Sequence, residues 1–160
     1  MLFEPSFLSH LNFLTKNTSD FLQLKKSRLE RLRDFSKTAQ IGELAQGLNT
    51  IFVQDRLDYP YVVDFHLFYH RVYGVRYGKG KTPDFVVLDK NRNNTGLFES
   101  KGEAAKNSGI TGKLQGALVQ LQSILKPCVD ELIPCCTKFA DNSAMAGKSG
   151  IHYGLFLKDC

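Results

Sequence analysis

The chain has 160 residues with 42% apolar and 23% charged side chains, which fits one soluble globular domain and excludes a disordered or fibrous chain. A formal charge of +5 and a pI of about 9.0 permit a polyanionic partner without demanding one. No run reaches the ~18–20 apolar residues of a bilayer span, so no membrane partner is expected.

The opening stretch, residues 5–15, places Phe7, Leu8, Leu11 and Leu14 at helical spacing. It has no basic start and no small-residue cleavage site, so it does not read as a signal peptide. Ser19 and Asp20 offer a helix cap. A second helix over 20–36 then carries Leu22, Leu29, Leu32 and Phe35 on one stripe, with Lys25, Lys26, Arg28, Arg31 and Arg33 around it. Residues 1–37 are therefore expected to be a helical extension, its cations forming a solvated face or contacting a nucleic-acid backbone. A third helix spans 39–57 on Ile41, Leu44, Ala45, Leu48 and Phe52, with Glu43 off that stripe, and Pro60 ends it.

Residues 61–73, rich in β-branched and aromatic side chains, predict a strand. Asp64, His66 and His70 would share one of its faces; side chains spaced along a strand do not converge on a metal, so a structural role is expected for them. A glycine-punctuated basic loop follows. Arg71, Arg76, Lys79 and Lys81, interleaved with Tyr73 and Tyr77, form either a grip on phosphates with rings for stacking on bases or ordinary solvated charge. Two apolar strands come next, from Asp84 to Asp89 and from Gly96 to Gly102, joined by a polar turn. Ile110, Leu114, Ala117, Leu118, Leu121, Ile124 and Leu125 give the cleanest helical stripe, stopped by Pro127.

Residues 128–150 show no period beyond a short apolar piece, Val129 to Ile133, and 151–158 predict a last strand. Ending so near a strand, the chain reads as a domain cut from something longer. Cys128, Cys135, Cys136 and Cys160 lack the spacing of a disulfide framework or a paired zinc motif and indicate a reducing, cytoplasmic compartment. The order is α-α-α-β-β-β-α-β, with successive strands joined by turns and one helix crossing to a fourth.

The chemistry concentrates between the two central strands. Glu99 and Lys101 lie two residues apart, so strand alternation points both to one face, and Asp84 opens the neighbouring strand. Asp84 and Glu99, with the Ser100 carbonyl, supply the oxygens that Mg²⁺ or Mn²⁺ takes from protein when substrate phosphate and water complete its shell. Lys101 can stabilise charge on a phosphate or orient an attacking water.

Pro83-Asp84, a gap of fourteen residues, and Glu99-Ser100-Lys101 resemble the motif of the PD-(D/E)xK nuclease superfamily. The resemblance covers about 39–160 and implies an α+β, restriction-endonuclease-like core over residues 38–160: a mixed four-stranded sheet flanked by helices, in the order αβββαβ. It implies that Asp84 and Glu99 bind the metal and that Lys101 is the catalytic lysine. Ile41-Gly42-Glu43-Leu44-Ala45 resembles the Gly-Glu-x-x-Ala opening of some members and nominates Glu43 as a further metal ligand. The Gln120-Leu121 pair nominates Gln120 on the crossover helix, although the tyrosine that often follows is missing. Lys113 flanks the same side of that helix and joins Arg71, Arg76, Lys79 and Lys81 as a nucleic-acid contact. The expected function is metal-dependent hydrolysis of DNA phosphodiesters, with a homodimer or partner protein favoured if both strands of a duplex are cut. The alternatives are a non-catalytic nucleic-acid-binding module with the same fold, or a toxin or mobile-element nuclease domain of a larger protein.

Overall fold

Apolar side chains alternate along the central strands and so place one hydrophobic layer on each face of a single mixed sheet. The computed structural model describes residues 14–16, 22–24, 30–74, 76–78, 81–104, 109–124, 129–139 and 149–158. In chain order the elements are β1 (Leu14–Lys16), β2 (Leu22–Leu24), α1 (Asp34–Arg56), β3 (Tyr61–Asp64), α2 (Phe65–Tyr73) and β4 (Phe85–Leu88). They continue with β5 (Thr95–Glu103), α3 (Ile110–Gln122), β6 (Glu131–Lys138), β7 (Gly150–Tyr153) and β8 (Phe156–Leu157). β1 and β2 form their own antiparallel pair. The main sheet runs β3-β4-β5-β6-β7, with β8 on the same side of β6 as β7. All its pairings are antiparallel except β5 with β6, which the crossover through α3 makes parallel.

The two faces have separate cores. Val86, Leu97 and Leu132 point to the side covered by α2 and α3, where they meet Phe65, Leu121 and Ile124. Val87, Phe98, Ile133 and Cys135 point to the other side, against Val53 and Phe52 of α1. Further along α1, Leu44 and Ala45 pack with Phe139. Gly102 permits this approach: a Cβ there would lie 2.6 Å from the Ile41 carbonyl oxygen and 2.9 Å from the Ala45 Cβ.

Several elements differ from the sequence expectation, each for a local reason. Of the helices expected over 5–15 and 20–36, most residues lie outside those described; residues 14–16 and 22–24 form the β1–β2 pair instead. The long helix starts earlier than residue 39, at Asp34. The stretch 61–73 divides at Asp64, whose carboxylate accepts the Leu67 N–H at 2.8 Å and so caps α2. Gly74, in the left-handed region at φ 72°, closes that helix by donating to the His70 carbonyl at 3.0 Å. A helix, rather than a turn, therefore joins β3 to β4. The crossover helix delivers the chain to β6, where the sequence shows little period because the strand is buried on both faces and carries Pro134. Pro134 accepts from the Gly154 N–H at 3.1 Å, so its missing N–H also faces the β7–β8 side, at the break between those strands. The ladder to β5 is untouched, with eight registered pairs from Gly96↔Glu131 to Glu103↔Lys138. Among the described residues the sheet has six strands rather than four.

The β4–β5 hairpin is held by its turn. The Asp89 carboxylate accepts the Asn93 N–H at 2.8 Å, the Asp89 N–H reaches the Asn94 carbonyl at 3.1 Å, and Arg92 takes φ 59°. This fixes the register as Phe85↔Phe98 and Val86↔Leu97. One step beyond the ladder, Asp84 comes opposite Glu99.

Candidate active site

Strand parity decides which side chains meet. Leu97 faces the α2–α3 layer, so Glu99 and Lys101 face it too, and Asp84 shares that side with Val86. The contacts agree. The Asp84 N–H donates to Glu99 Oε2 at 3.1 Å, and the Ser100 N–H donates to Asp84 Oδ2 at 2.8 Å. Lys101 Nζ forms an ion pair with Glu99 Oε1 and lies 3.4 Å from Gln120 Oε1 on α3. Gln120 turns its amide N–H to the Thr82 carbonyl, and Thr82 Oγ1 shares a 3.0 Å hydrogen bond with His66 Nε2 on α2. The cluster is thus one polar chain across three elements and the segment leading into β4.

Its electrostatics are those of a site short of positive charge. Glu99 is 1% exposed. Burial, and then the neighbouring Asp84 carboxylate, push it up to about 7 against the pull of Lys101 and the Asp84 N–H. Burial raises the Asp84 carboxyl as well, opposed by the Ser100 N–H and Lys101. Two carboxylates face one ammonium.

Asp84 Oδ1 takes no hydrogen bond from the described residues. Every fully buried polar side-chain atom among them has a partner, so Oδ1 reaches solvent. In a strand a residue's C=O lies on the same side as its N–H, so the Ser100 carbonyl is directed towards Asp84. These oxygens suit a hard cation bound by few protein ligands. They are not a closed protein cage: among the described residues, no three His, Cys, Asp or Glu side chains converge as a metal site.

The sequence candidates separate into those brought together and those left apart. Asp84, Glu99, Ser100, Lys101 and Gln120 join the cluster. Glu43 does not: it is exposed on α1, which packs on the opposite face of the sheet. Gln120 is held at the cluster, while Gln115 and Gln122 are exposed. Lys113 is half-exposed and pairs with Glu103 at 3.5 Å, one turn into α3. Arg71, Arg76 and Lys81 are exposed, Arg76 beside His66 and Lys81 beside Gln120; Lys79 lies outside the described residues. Asp64 serves as the α2 cap, and His66 braces Thr82. Cys135 and Cys136 are buried free thiols, with Cys135 pushed up to about 12 by burial; Cys128 and Cys160 lie outside the described residues.

A second polar group lies on the other face, directly behind the site. Asn49, fully buried in α1, donates to Ser100 Oγ at 2.8 Å and towards the Lys101 carbonyl at 3.4 Å, and accepts from Thr137 Oγ1 at 2.7 Å. It ties α1, β5 and β6 together at the peptide that carries Glu99 and Lys101 to the opposite face. Its signal in the sequence is an asparagine amid apolar residues at core spacing, a position that demands partners. Asn49→Ala leaves the Thr137 and Ser100 hydroxyls without it and is expected to cost about 1–3 kcal/mol of stability. Urea unfolding checks this as a lower midpoint at unchanged slope.

No described helix is long and apolar enough to cross a membrane. Comparison with protein-family models, with curated proteins and with solved structures finds no match to the chain.

Proposed function

We propose that this domain is a metal-dependent nuclease that hydrolyses DNA phosphodiesters at the Asp84–Glu99–Lys101 cluster. The observation that carries the reading is the hairpin register that sets Asp84 opposite Glu99, with Lys101 on the same face and Gln120 bridging to it. The order α1-β3-β4-β5-α3-β6, with α2 inserted after the first strand, supports a restriction-endonuclease-like core. A divalent ion would be held by Asp84 and Glu99 with the Ser100 carbonyl. When bound, it supplies Lewis acidity at the phosphate and offsets the excess negative charge of the pair.

The chain's own residues do the rest. Lys101 has three N–H donors, and Glu99 and Gln120 engage two. The third is left for a phosphate oxygen or an attacking water, so the ammonium is aimed before substrate arrives. Gln120, anchored on the Thr82 carbonyl, fixes the direction of that ammonium. Glu99, buried at the base, sets its height above the sheet.

The test is a cleavage panel with Mg²⁺ or Mn²⁺ over supercoiled, linear, single-stranded and branched DNA, with RNA alongside. Cutting of DNA that stops with chelator supports the reading; no cutting of any DNA with either metal rejects it.

A further inference from the structure

A concavity opens beside the site, on the α2 side of Thr82. It has a volume of about 380 Å³ and is lined by His66, Leu67, His70, Arg76 and Tyr77. Its lining carries one cation, Arg76, and two imidazoles, with no acid. The segment that supplies it, residues 65–81, holds four Lys or Arg and no Asp or Glu. Its ring wall is packed from behind. Tyr77 stands edge-on to Phe65 at 5.3 Å and to Tyr69 at 5.0 Å between ring centroids, and Phe65 is fully buried. Leu67 is half-exposed at its rim, an apolar side chain with no core to fill. The groove is also tied to the catalytic cluster, since His66 on its wall bonds Thr82, Thr82 bonds Gln120, and Gln120 bonds Lys101.

We propose that this groove seats an unpaired nucleotide of a DNA strand, next to the phosphate held at Asp84 and Glu99; the inference rests on the nuclease reading above. An arginine beside a packed aromatic wall recognises the two parts that every nucleotide offers, a phosphate and a π-face. Arg76 supplies the phosphate contact, while Tyr77 and the imidazoles of His66 and His70 supply stacking surface. A base inside a duplex has both faces occupied by its neighbours and cannot use such a wall. A single strand, a flap or a frayed end can. The groove therefore selects for unpaired DNA beside the scissile bond.

The experiment measures binding of a short fluorescent DNA strand, the same strand annealed to its complement, and the matching RNA, all to the full chain in chelator so that nothing is cut. The expected result is at least about tenfold tighter binding of the single DNA strand than of the duplex, with a changed signal from 2-aminopurine placed in the strand. His70→Ala and Arg76→Ala, both at exposed positions, each weaken single-strand binding severalfold. Arg76→Ala also lowers the salt dependence by about one counterion. Equal or tighter binding of duplex, or RNA bound more tightly than the DNA strand, overturns the proposal, as does single-strand binding indifferent to both variants. A separate cleavage assay with Mg²⁺ keeps the two readings apart. Duplex cutting with a flat binding profile removes the groove and leaves the nuclease. Selective single-strand binding without any cutting removes the nuclease and leaves the groove.

Discussion

Lys101→Met is expected to reduce Mg²⁺-dependent DNA cleavage by about 10³-fold, the scale seen when one preorganised donor to developing charge is removed. Methionine keeps the unbranched stem, so the change is confined to the ammonium and its bonds to Glu99 and Gln120. Glu99→Gln is expected to lose as much by a different route. It preserves the shape that receives the Asp84 N–H but removes half of the charge that would hold the ion. The two variants therefore differ in metal dependence. Raised Mg²⁺ recovers part of the Glu99→Gln activity and none of the Lys101→Met activity. Lys90→Ala serves as the control, since Lys90 is exposed and pairs with Asp58 at 2.7 Å, away from the cluster. Single-turnover rates check the set. Cleavage undiminished in Lys101→Met places the chemistry elsewhere in the molecule.

The second large effect concerns stability. An acid that holds its proton more tightly in the fold than in the unfolded chain stabilises the fold fully below its unfolded pKa. That contribution is lost as pH rises through the folded value. For Glu99 the window runs from the ordinary 4.5 up to about 7. The metal-free protein is thus expected to lose up to about 3 kcal/mol between those limits from this one buried group. The raised Asp84 carboxyl acts in the same direction. Glu99→Gln removes the titration, so it flattens the profile and makes the metal-free protein more stable than the wild type above pH ~7. Adding Mg²⁺ at that pH raises the wild-type unfolding midpoint and raises that of the variant by less. Urea melts across the pH range, with and without metal, read both results. A wild-type profile that rises from pH 5 to 8 contradicts them.

What the sequence made legible was whatever local chemistry decides. The β4–β5 hairpin is spelled out by two short apolar runs around a turn of Asn, Asp and Lys, and strand parity then puts Glu99 and Lys101 on one face without any knowledge of the fold. The α3 stripe is equally plain. The misreadings arose where composition and context disagree. Phe65, Phe68, Tyr69 and Tyr73 look β-prone as a set, yet they sit at helical spacing behind a capping aspartate and before a closing glycine, and those two end signals outweigh propensity. β6 has no alternation to read, because both its faces are buried, and only the neighbouring strands reveal that its proline faces a gap. Glu43 drew attention through its local motif, but helix packing on the far face of the sheet is a tertiary outcome that a five-residue pattern does not encode. Asn49 and Thr137 stand 88 residues apart, and nothing local links them.

The hairpin turn has one more consequence, for the order in which the sheet assembles. The contact between Asp84 and Glu99 closes a loop of only 15 residues, whereas Thr95 meets Asp130, at the start of the β5–β6 ladder, across 35. Shorter closure costs less chain entropy, which favours the hairpin as the earlier event and the crossover strand as the later one. The two mutually repelling carboxylates are then brought face to face while water still screens them. Their burial, and the energetic penalty that burial imposes, arrives only when α3 and β6 dock. The repulsion therefore weighs on the last stage of folding rather than the first, and anything that neutralises the pair, a proton or a cation, acts there.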